Sequence, residues 1–117
     1  MTPISLYNSL CIQLFPWMRT RVVEQAGGEV ARECRAELWQ RVHRQVAFMS
    51  VPEIRGYVRA YAASIAAPQV EEVLSRRELT PSLGSHVLAV GIDQLITLTI
   101  RDALMGEPVT EARPLAA

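Results

Sequence analysis

Between Ser82 and Leu104 the chain carries a segment whose apolar side chains cannot all be hidden by one neighbour. On a helical wheel the apolar positions from Val87 to Ile100 sweep roughly 220°, about twice the stripe of an ordinary surface helix. Only His86, Asp93, Gln94, Thr97 and Arg101 form a polar strip. Such a helix needs apolar cover on two sides. It sits near the centre of a bundle, or it shares a face with a second molecule. The β-branched run "LITLTI" within it is also compatible with a short strand, but the spacing on either side favours the helix.

The rest of the chain is punctuated in the same helical idiom. Leu6, Leu10, Leu14, Trp17, Met18 and Val22 recur at spacings of three and four, which predicts an amphipathic helix. Pro16 falls inside that stripe and predicts a kink or two abutting helices. Gly27–Gly28 is expected to end it. A second helix is expected from about Glu29 to Met49, with Ala31, Cys34, Leu38, Val42, Val46 and Met49 on its apolar face. Ser50 with Glu53 three residues on is a capping box, and Met49 and Ile54 are placed to staple the turn. The third helix is expected to reach about Ala66, where Pro68 breaks it and opens a fourth segment. Gly106 is expected to close the last helix, leaving 106–117 as a flexible tail. The fold expected is an all-α, single-domain bundle of four to five helices over 1–105, with the broad C-terminal helix near its centre.

Composition supports one such domain and narrows the functions. A chain of 117 residues fits a single domain. Half of it is apolar but only 6% is aromatic, so aliphatic side chains carry the core. All 12 basic residues are arginine, and they match 12 acids. Residues 1–60 hold eight arginines against five glutamates, and 61–117 hold four against seven acids. A dedicated nucleic-acid binder would carry a basic excess over the whole domain. The uncharged first 18 residues lack the basic start of a signal peptide. No uninterrupted apolar run reaches the roughly 18 residues of a membrane span. A cytoplasmic protein with no membrane span is therefore expected.

Catalytic chemistry finds little to work with. His43 and His86 are the only histidines, and neither sits in a metal-ligand pattern. Cys11 and Cys34 have no metal or redox spacing and read as buried thiols. The expectation is no catalytic residue, no metal and no cofactor.

Two surface features remain. In "VPEIRGYVRAYAASIA", Gly56, Ala60 and Ser64 lie four apart on a face with Ala63 and Ala67, and nothing large or charged joins them. A glycine inside a helix costs about 1 kcal/mol relative to alanine, whereas small residues in a row let another helix approach closely. Tyr57 and Tyr61 fall on the core stripe of the same helix, with their hydroxyls at its edge. Arg55 and Arg59 lie on the opposite flank and together suit an anion. The second feature is the row Arg35, Trp39 and His43 with Arg32 beside it, where cations and an indole resemble nucleic-acid contact chemistry. The leading expectation is a non-catalytic interaction protein that self-associates as a homodimer through Gly56, Ala60 and Ser64. The alternative is a small regulator that touches nucleic acid through Arg32, Arg35, Trp39, Arg55 and Arg59.

Overall fold

The computed structural model describes residues 15–105, and every regular element in that span is helical. Helix α1 runs Pro16–Val46, α2 runs Val51–Arg76 and α3 runs Gly84–Met105. A single 3-10 turn, Pro81–Leu83, leads into α3. The three helices pack on one another in every pairing, so the all-α bundle stands. Among the described residues there are three helices, where four to five were expected over 1–105. The amphipathic stretch before Phe15 and the tail after Met105 lie outside the described residues.

Pro16 is the first residue of α1, where its missing N–H costs nothing, so it starts a helix rather than kinking one. Gly27–Gly28 does not end that helix. Both glycines are buried in its middle, and their reason lies across the bundle. A Cβ built on Gly27 would come within 2.5 Å of Val90 Cγ1 and 3.1 Å of the Gly91 amide nitrogen. One built on Gly91 would meet Val30 Cγ1 at 3.3 Å and the Gly27 carbonyl at 3.5 Å. The two helices cross backbone to backbone, and any side chain here would push them apart.

Pro68 is likewise internal to α2 and exposed, so the second expected break is absent too. The start of α2 follows its sequence signal. Glu53 Oε1 accepts from the Ser50 backbone N–H at 3.0 Å and from the Ser50 hydroxyl at 2.9 Å. The N–H bond, then the hydroxyl bond, draw the Glu53 carboxyl below its ordinary value. The helix closes with the Leu79 amide donating to the Leu74 carbonyl at 2.9 Å, while Glu78 takes a left-handed φ of 55°.

The broad arc of α3 packs against both α1 and α2, with its margins left half-buried. Val87, Leu95 and Ile96 are buried between α1 and α2, and Leu88, Ile92, Leu98 and Ile100 pack at the margins. "LITLTI" is helical. Pro81–Met105 is long and apolar enough to cross a membrane by length and composition alone. Its two acids, however, are paired with arginines of the other helices. Asp102 is 3% exposed and takes a two-pronged bond from Arg35, at 2.6 Å and 3.1 Å. At the far end of the molecule Arg76 bonds Glu29 and Glu33, and Arg77 bonds Glu29 at 2.7 Å, tying the end of α2 to α1. The Arg76 guanidinium, then that of Arg77, lowers the Glu29 carboxyl below its usual range.

Candidate interface on the second helix

Ile54, Val58, Ala62, Ile65 and Ala66 of α2 turn inward and are buried. That orientation fixes what the other side presents. Gly56, Ala60, Ala63, Ser64 and Ala67 are all exposed, and a Cβ added to Gly56 would meet nothing within 4 Å. The interface residues named from sequence therefore lie together on open surface rather than inside the bundle. Over the three turns from Gly56 to Ala67, about 18 Å of helix, this face rises no higher than a serine side chain. Ser64 turns its hydroxyl down onto the Tyr61 carbonyl at 3.1 Å, which removes most of its polarity from the face.

At Ala67 the face runs into an apolar groove of about 260 Å³, also lined by Val70, Leu74, Gly84 and Leu88. Pro81 and the polar residues Glu71 and Ser85 complete its lining. The groove was not legible from sequence. It is made by the C-terminal half of α2 and the start of α3, and only the turn between them brings Leu74 beside Leu88. Tyr57 and Tyr61 edge the small-residue face, with ring centroids 5.0 Å apart. Tyr57 is half-buried, but Tyr61 is 38% exposed, so it stands outside the core stripe assigned to it.

The arginines are dispersed. Arg59 reaches across to Asp93 at 3.3 Å, while Arg55 and Arg32 are exposed. Arg35 is committed to Asp102, and Trp39 is 7% exposed. The row of Arg35, Trp39 and His43 is thus partly sealed. The His43 Nδ1 lies 3.0 Å from the Trp39 carbonyl, and its ring covers the indole with centroids 5.9 Å apart. The indole N–H is buried without a hydrogen-bond partner among the described residues. An indole in that position cannot stack on a base without the bundle opening. The partner that fixes Arg35 lies 67 residues away, beyond any local pattern.

The remaining chemistry is quiet. Cys34 is buried and lies 3.7 Å from the Ile65 carbonyl. Burial, reinforced by Glu37 and Glu33, pushes its thiol up to about 11, so it stays protonated at neutral pH. Cys11 lies outside the described residues. His86 is exposed. Among the described residues no three His, Cys, Asp or Glu side chains gather as metal ligands.

Among the described residues, fold and surface define a bundle of three helices with an open, low-relief face on α2. The chain matches no protein-family model, no curated protein and no solved structure.

Proposed function

We propose that this chain is a non-catalytic interaction module that forms a homodimer by packing the small-residue face of α2 against its counterpart in a second copy. One observation carries the reading. Gly56, Ala60, Ala63, Ser64 and Ala67 are all exposed on one face, and that face continues into the Ala67–Leu74–Leu88 groove. A solvated helix face is ordinarily dressed with long charged or amide side chains. This one carries only small residues, including a glycine that weakens the helix and fills no space within the chain. Small faces permit helix axes to approach to about 8 Å, the close end of the usual range.

The groove is needed as well as the face. A stable interface buries about 1,200–2,000 Å² in total, more than a short stripe of alanines supplies, and the aliphatic lining extends the contact. The second support expected from sequence is gone. The wide arc of α3 finds neighbours in both other helices, so the proposed dimer surface rests on α2 and its junction with α3.

Light scattering over a range of concentrations tests the reading. A dimer should form in the micromolar range, about 8 kcal/mol of association. Ala60→Arg should give a monomer with unchanged helicity, melting like the parent does at concentrations too low for dimer formation, because the residue is exposed. A protein that stays monomeric well above micromolar concentration sinks the proposal.

A further inference from the structure

We propose that the end of the bundle formed by the α1–α2 turn docks on an anionic lipid surface, with Phe48 entering the headgroup layer and Arg44 and Arg55 meeting lipid phosphates. The inference is independent of dimer formation. Seven large apolar side chains are exposed among the described residues. Single ones scattered over a surface are ordinary, but these are not scattered. Helices α1 and α3 run the same way and α2 runs back, so one end gathers the finish of α1, the start of α2 and the finish of α3. Phe48, Val51, Leu104 and Met105, four of the seven, lie at that end.

Phe48 is the extreme case, 92% exposed on the turn itself. Ala47 and Pro52 beside it are exposed as well. The feature is a convex tip, which suits a soft layer better than a pocketed partner. An apolar side chain of this kind needs to reach only about 5–10 Å into the headgroup boundary.

The charge around the tip is complementary to such a surface. Residues 41–59 hold four arginines and one acid, although the whole chain is neutral. The acid is Glu53, whose Oε1 is taken up by Ser50. Arg41 pairs with Glu37 and Arg59 with Asp93, both at 3.3 Å. Arg44, one turn before Phe48, and Arg55, one turn after Val51, are exposed and have no ion-pair partner among the described residues. Cations close to an anionic leaflet are attracted over a Debye length, and one apolar anchor with a basic flank gives reversible rather than permanent attachment. The molecule as a whole carries no net charge, so the attraction rests on this local excess.

Co-sedimentation of the full chain with vesicles tests the proposal. Vesicles holding roughly 30% phosphatidylserine should pellet the protein, and phosphatidylcholine alone should not. Phe48→Ser should weaken binding by about tenfold or more. Arg44→Glu with Arg55→Glu should abolish it, and all variants should melt like the parent because each site is exposed. In Phe48→Trp, indole emission should shift to the blue on adding anionic vesicles. Failure to pellet at low salt overturns the proposal, as does binding that Phe48→Ser leaves unchanged. Indifference to vesicles combined with retention of a nucleic-acid duplex through Arg44 and Arg55 would overturn it in favour of that other polyanion.

Discussion

Gly27 and Gly56 are the same residue in the middle of two helices, under opposite constraints. At Gly27 the space for a Cβ is already occupied by Val90, whose Cβ as well as Cγ1 lies too close to yield by a rotamer change alone. At Gly56 the space is empty. Gly27→Ala should therefore lower stability by about 1–3 kcal/mol, the usual cost of overpacking. Gly56→Ala should raise it by about 0.5–1 kcal/mol through helix propensity. Denaturant titration of both variants at a concentration that keeps the protein monomeric decides the matter. Equal signs would mean that α1 and α3 do not cross at Gly27. The sequence could not separate the two cases. Local preference reads paired glycines as a turn, and the reason for Gly27 is Val90, far along the chain. The same distance hid the partner of Arg35. Cys34 was legible because its burial follows from helical spacing alone, and so was the Ser50–Glu53 cap, which is a contact between near neighbours.

Proline tells the corresponding story for whole elements. A break after Ala66 follows from proline's intrinsic cost of about 3 kcal/mol in a helix interior, yet α2 continues to Arg76. Burial on both sides of Pro68 outweighs it. Ile65, Ala66, Val70, Val73 and Leu74 are all inward, and each turn of them stabilises the helical path. The ring itself lies on the exposed side with Ser64, whose carbonyl is the one deprived of an amide donor, so water can serve it. Pro68→Ala restores that bond but frees the unfolded chain, which returns about 1 kcal/mol to the unfolded state. A net gain of about 1–2 kcal/mol is expected after subtracting that return from the intrinsic cost. A loss of stability on thermal or urea unfolding would show that the ring is packed rather than solvated. Tertiary burial therefore set the ends of α1 and α2 against strong local signals, and it carried α1 through Gly27–Gly28 and α2 through Pro68.

On the scale of the molecule, α3 is the element that makes the other two a domain. Its broad apolar arc was the most informative feature of the sequence, and it correctly demanded two neighbours. It could not say whether the second was another helix of the chain or another chain, because a helical wheel records how much must be covered and not by what. With α1 and α2 both inside the chain, the arc becomes a statement about folding. Leu83, Val87, Leu95 and Ile96 enter the core from this side, each stabilising by about 1.5–3 kcal/mol when buried. A small domain has only about 5–15 kcal/mol of net stability. Without α3, Val30 would lose its neighbour at Gly91 and Arg35 would lose Asp102. A chain ending at Leu79 keeps all of α1 and α2 yet should show reduced helicity and no cooperative melt, since the α1–α2 hairpin cannot offset its own ordering entropy. Circular dichroism against temperature is the measurement. A sigmoidal transition close to that of the full chain would mean that the hairpin folds alone and that α3 is a late, dispensable addition, which its position against both other helices contradicts.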